Sequence, residues 1–245
     1  MKKYSILKMK DSSEKYYTAK KKIFDLPMRL LIVGKSHLSG KTNMLGNLLL
    51  RKEFYYGDFK GENIFIISPS LNDPKLKTIA KKLKIPSGNF IPVYDEEVLS
   101  SIIEDIKDEY NEAVEEKKRP NNFLIVFDDA SFGGSLLKRH SNIQRIFCNM
   151  RHYNCSCIIT TQSYVDLLTA CRENASGVIL FGCSDRQLDT ISDDHSYMVR
   201  KEFKKLFRKT TDKKHSFMVV NYSNDAINRY QDSNFNSLTN EGDGM

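Results

Sequence analysis

At 245 residues with 40% apolar content, the chain is long enough to bury one full core, and nothing in it calls for a second domain. A formal net charge of +7 favours a polyanionic partner such as nucleic acid. Five cysteines without the spacing of a small disulfide-bonded domain point to reduced thiols, and no stretch is long and apolar enough for a leader or a bilayer span, so a soluble, unexported protein is expected.

Residues 1–27 read as a lysine-rich arm, with eight lysines by Lys22 and with IFDL offering an edge strand before Pro27. Residues 28–222 form the core. Leu30, Leu31, Ile32 and Val33 make a buried strand, and Met44, Leu45, Leu48 and Leu49 recur at helical spacing after it. Between them runs GKSHLSGKT. A loop of this kind wraps phosphates with the backbone of Gly34, Lys35, Ser36, His37, Leu38, Ser39 and Gly40. Lys41 would reach the β- and γ-phosphates of ATP, the Thr42 hydroxyl would ligate Mg²⁺, and the helix that follows would aim its positive end at the nucleotide. One departure is visible: the usual spacing wants glycine at position 35, where this chain has Lys35, with Gly34 one residue earlier. His37 reads as a loop filler.

Further along, NIFIIS is a second strand, a lysine-rich helix covers Leu76 to Leu83, and FIPVY holds a short strand. Residues 95–118 place Val98, Leu99, Ile102, Ile103, Ile106 and Tyr110 on one helical stripe. FLIVFDD is the third strong strand. A basic helix from Leu136 to Met150, the strand CSCIITTQ, a helix from Tyr164, the strand GVILFG, a helix near Arg186 to Ile191, a basic helix from Arg200 and the strand HSFMVVNY follow. Strands alternating with helices predict an α/β fold with a mainly parallel central sheet covered on both faces. Residues 223–245 are polar and read as a fraying tail.

The continuous apolar run Leu124 to Phe127 ends in Asp128-Asp129, which places two carboxylates at a strand end beside the phosphate loop. Asp128 suits the Mg²⁺ and Asp129 the attacking water; capping acids in a turn are the plainer reading. NIFIIS lies between the loop strand and the acid strand in sequence, so those two are not expected to be sheet neighbours. This is the mark of the additional-strand (ASCE) P-loop NTPases, in which the strand after the acids ends in a γ-phosphate sensor, here Gln162. Arg139, Arg145 and Arg151 are candidates for a finger supplied to a neighbouring subunit, Arg151 leading, against the reading of ordinary solvated arginines. His152, Cys155 and Cys157 do not have zinc-site spacing, and no metal is assigned to them. The eight basic residues from Arg200 to Lys214 suit either a DNA backbone or plain solvation.

LLIVGKSHLSGKT, FLIVFDDA and NMRHYNCSCIITTQS in that order resemble the poxvirus-type genome-packaging ATPases of large DNA viruses and virophages, within the FtsK/HerA superfamily. The resemblance covers residues 28–222. It implies a homo-oligomeric ring of five or six subunits that hydrolyses ATP with Mg²⁺ and drives double-stranded DNA into a preformed capsid, in the host cytoplasm at a virus factory and at the virion. Carried over by position, Lys41 and Thr42 match the loop lysine and metal ligand, Asp128 the metal-side acid, Asp129 the water-activating acid and Gln162 the sensor. Asp129 stands where many relatives carry glutamate. The Gly133-Gly134 loop is a candidate moving part. The rival functions are a small-molecule P-loop kinase, which would need a substrate lid, and a nucleotide-dependent DNA-binding protein without a motor.

Overall fold

The computed structural model describes Tyr16 and residues 23–35, 40–129 and 141–238. The rest of the arm, Ser36, His37, Leu38 and Ser39 of the loop, Gly133-Gly134, Arg139 and residues 239–245 lie outside the described residues.

Seven helices are present among the described residues: α1 (Lys41–Leu50), α2 (Pro74–Leu83), α3 (Glu96–Glu115), α4 (Ser141–Asn149), α5 (Thr169–Glu173), α6 (Asp185–His195) and α7 (Arg200–Thr210). They cover one sheet built from β1 (Arg29–Val33), β2 (Ile64–Ile67), β3 (Phe90–Ile91), β4 (Phe123–Phe127), β5 (Cys155–Thr161), β6 (Gly177–Phe181), β7 (Phe217–Asn221) and β8 (Tyr230–Gln231). The sheet order is β3-β2-β4-β5-β1-β6-β7-β8. β1 to β6 are mutually parallel, and β7 and β8 add antiparallel pairs. Both edge strands are two residues long, which leaves little open ladder for another chain to join.

Side chains alternate across the pleat and so divide the core in two. Leu30, Ile32, Ile66, Val126, Ile158 and Ile179 face α1 and α2. Leu31, Val33, Ile125, Ile159 and Leu180 face the other layer, built from α3 through α7. β1 and β4 are not neighbours, as expected, but the strand between them is β5; NIFIIS lies on the far side of β4. The seven residues of β5 are all buried, which suits a central position, whereas Phe65 leaves β2 partly open.

Three local expectations need correction. IFDL is no strand: Ile23, Phe24 and Leu26 are buried as irregular chain. Tyr55 satisfies that backbone, its hydroxyl accepting from Phe24 N and donating to Phe24 O, both at 2.9 Å. Phe24 lies against Gly177, where a Cβ would come within 2.2 Å of the ring. The helix from Tyr164 is one 3₁₀ turn followed by the short α5. The tail does not fray over its described part: β8 pairs with β7, and the buried Tyr230 hydroxyl donates to His195 O at 2.8 Å.

Candidate nucleotide site

Gly34, Lys41, Asp128, Asp129 and Gln162 meet at the C-terminal ends of β1, β4 and β5. Gly34 N donates to Thr161 O at 3.0 Å, which fixes the start of the loop against the end of β5. Gly40 has φ of 87°, a left-handed conformation that favours glycine, and there the chain turns into α1. Lys41, the first residue of α1, is buried and its Nζ donates to Gly34 O at 2.8 Å, spanning the mouth of the loop. Burial pulls the Lys41 pKa down, while the nearby carboxylates of Asp129 and Asp128 oppose that shift. Thr42 follows on the same helical turn, half-buried.

Asp128 is 4% exposed, and both of its oxygens are held. Thr160 Oγ1 donates to Oδ1 at 2.9 Å and Ser68 Oγ donates to Oδ2 at 3.1 Å. Burial raises its pKa and the two hydroxyl bonds counter that. Asp129 takes a left-handed conformation with φ of 53°, pinned by its N–H donating to Thr160 Oγ1 at 2.8 Å. That turn sends the Asp129 carboxylate to Gln162, whose Nε2 donates to its two oxygens at 2.8 and 3.2 Å. Thr160 and Ser68 were not singled out from the sequence. Their only signal there is a hydroxyl at the end of an apolar strand, as in IITT and FIIS.

The donor set suits a hard cation: one hydroxyl, Thr42, and one buried carboxylate, Asp128, leaving further positions for phosphate oxygens and water. Beside Gly40 opens a cavity of about 420 Å³ whose walls include Asn43, Met44, Phe181, His215 and Phe235. Its mix of aromatic, apolar and amide groups suits a purine base.

A sequence model of the poxvirus A32 protein matches residues 14–232, which span the strand, loop, acids and sensor just described. The chain belongs to the poxvirus A32 protein family. No curated protein sequence matches it. Among solved structures, the A32-family fold is similar to the genome packaging NTPase B204 from Sulfolobus turreted icosahedral virus 2 in complex with sulfate, with a TM-score of 0.53 at 16% identity, covering 80% of this chain and 91% of that one. The same NTPase in complex with ATP-gammaS matches with a TM-score of 0.50 at 17% identity, over 80% of this chain and 92% of that one. Its complex with AMPPCP gives 0.50 at 16% identity, over 80% and 93%.

Not every candidate joins the site of the A32-family chain. Arg151 is exposed in the 3₁₀ turn before β5, at the sheet edge opposite the acids. Arg145 pairs with Glu104 of α3 at 2.9 Å. His152 is exposed, while Cys155 and Cys157 are buried in the core on the α3 side. The basic helix ends at Thr210, short of Lys214, and three of its basic side chains, Arg200, Lys204 and Arg208, pair with acids of α6. Arg200 pairs with Asp189 and Asp193 at 2.9 and 3.2 Å, Lys204 with Asp189, and Arg208 with Asp185 at 2.7 Å. Among the described residues no helix is long and apolar enough to cross a membrane.

Proposed function

We propose that this protein is an ATP-hydrolysing motor that assembles as a ring of five or six subunits and drives double-stranded viral DNA into a preformed capsid. The observation that carries the reading is the meeting of Lys41, Asp128, Asp129 and Gln162 at one sheet edge, with β5 inserted between β1 and β4. Family membership and the similarity to a viral genome packaging NTPase support it.

In this reading Gly34 to Thr42 hold the triphosphate, and Lys41 turns from Gly34 O to the β- and γ-phosphates. Thr42 and Asp128 would hold Mg²⁺, which supplies charge neutralisation for the transferring phosphoryl group. Asp129 accepts a proton from the attacking water. Gln162, bonded to that carboxylate, orients the base and senses when the γ-phosphate leaves, so its bond to Asp129 links hydrolysis to the chain that follows β5. Arg151 acts on the neighbouring subunit's phosphates. Work is done in the host cytoplasm and at the virion, with capsid proteins as the anchor.

The test is steady-state ATP hydrolysis with and without double-stranded DNA over a range of protein concentrations, with Lys41→Ala as the blank. The expected result is activity stimulated by DNA, rising cooperatively with protein and absent in the variant. ATP binding without turnover, with DNA present and oligomers verified, would falsify the motor.

A further inference from the structure

The sequence offered α7 as a DNA-binding helix, yet acids of α6 pair with Arg200, Lys204 and Arg208, half of its basic side chains. α2 differs. It carries Lys75, Lys77, Lys81 and Lys82, followed by Lys84, all exposed, and among the described residues none of them has a carboxylate partner. The one acid at the helix start, Asp73, is engaged as its cap, Oδ1 accepting from Lys75 N at 2.7 Å. The Lys77 ammonium donates to the neutral Asn72 amide oxygen, at 2.9 Å.

The spacing sorts these charges into rows. Lys77 and Lys81 fall at i and i+4 and so stack on one face of α2, and Lys84 follows as its left-handed C-cap. All three line a cavity of about 510 Å³ together with Leu71, Ser87 and Phe90, near the sheet's β3 edge. Lys75 occupies the other flank of the helix, facing a second cavity shared with α1. Ammonium groups gathered around one concavity, without carboxylate partners among the described residues, suit the phosphates of a polyanion and offer no base-reading device.

We propose that the outer face of α2 grips the phosphate backbone of double-stranded DNA without regard to sequence, through Lys77, Lys81 and Lys84. This rests on the motor reading of the nucleotide site. The position of α2 couples the two. α2 follows β2, and Ser68 just after β2 braces Asp128. α2 also packs on α1, with Ile79 of α2 seated against Gly46 of α1. A shift of the Lys41 helix therefore reaches α2 by direct packing, and a shift of the acids reaches it through Ser68 and the chain that leads from there into α2.

The experiment is a titration of a short mixed-sequence DNA duplex at several salt concentrations by the full chain. It is repeated with Lys77→Gln/Lys81→Gln/Lys84→Gln and, on α7, with the acid-paired set Arg200→Gln/Lys204→Gln/Arg208→Gln. The α2 variant should bind about tenfold or more weakly, and its log–log salt slope should be shallower by roughly 2 to 3, close to 0.9 for each phosphate that is no longer neutralised. The α7 variant should stay near the wild type. Lys81→Glu alone, an exposed helix position, should weaken binding in the same direction and guards against misfolding of the triple variant. Unchanged binding by both α2 variants, or an equal loss on α7, overturns the interface and leaves the motor reading standing. Failure of the wild-type protein to bind duplex overturns both, and a preference for single strands over duplex also removes the proposal.

Discussion

Thr160 joins the two acids. Its single hydroxyl proton goes to Asp128 Oδ1, and its lone pair receives the Asp129 N–H. The second bond stabilises a left-handed backbone at a residue other than glycine, a conformation that costs on the order of 1 kcal/mol. The result is a division of labour: Asp128 points inward between two hydroxyls, and Asp129 points outward to the Gln162 amide. On the proposed mechanism Asp129→Asn keeps the shape and removes the base, so kcat should fall about 10²–10⁴-fold while ATP binding is nearly unchanged. Gln162→Ala removes only the group that orients the base, so its loss of kcat should be the smaller of the two. Equilibrium binding of a fluorescent ATP analogue beside single-turnover hydrolysis separates these outcomes. An Asp129→Asn variant with wild-type turnover would sink the assignment of the base.

Among the elements, the end of β5 is tied to α6 and β7 through one buried histidine. The Tyr164 hydroxyl donates to Asp194 Oδ2 at 2.8 Å, so its oxygen is left to accept from His195 Nε2 at 2.7 Å. Nε2 then carries the proton, and Nδ1 accepts from the Tyr222 hydroxyl at 2.7 Å. A neutral ring satisfies every partner, and burial holds the His195 pKa down at about 4 from its ordinary 6.5, against the opposing pull of Asp194 and with the help of Arg172. The unfolded chain therefore binds the proton first. Stability is complete above about pH 6.5 and is lost as pH falls towards 4, by on the order of 3 kcal/mol from this group. Melting temperature measured across that window should drop for the wild type and drop less steeply for His195→Gln. This tie was not legible in the sequence, because it joins residues about 30 positions apart with no periodic signal. The elements themselves were legible where apolar runs were long, as in β1, β4 and β5. β8 was not, since two residues in a polar tail carry no pattern and Tyr230 is buried only because β7 and His195 are there. The separation of β1 from β4 was legible, but not which strand fills the gap: NIFIIS stands between them in sequence, whereas the central position goes to β5, all of whose residues are buried.

At the scale of the whole molecule, the sheet separates Arg151 from the acids by the full length of β5. Seven residues at about 3.3 Å each place it roughly 20 Å from Gln162, too far to touch its own nucleotide. In the proposed ring, any action of Arg151 on phosphate would then be in trans, across head-to-tail contacts between subunits. Rings of mixed subunits therefore separate what single variants leave merged. Lys41→Ala subunits lack a working loop but still present Arg151; Arg151→Ala subunits have the loop but no finger. Each alone should be inactive in ATP hydrolysis. Mixed in equal amounts and allowed to exchange, about a quarter of the contacts place an intact loop against an intact finger, so about that fraction of wild-type turnover should return if sites fire independently. Recovery well below that level while mixed rings form would mean that each site waits for its neighbours. Full activity of Arg151→Ala by itself would return Arg151 to the solvated arginines and leave the finger to be sought elsewhere.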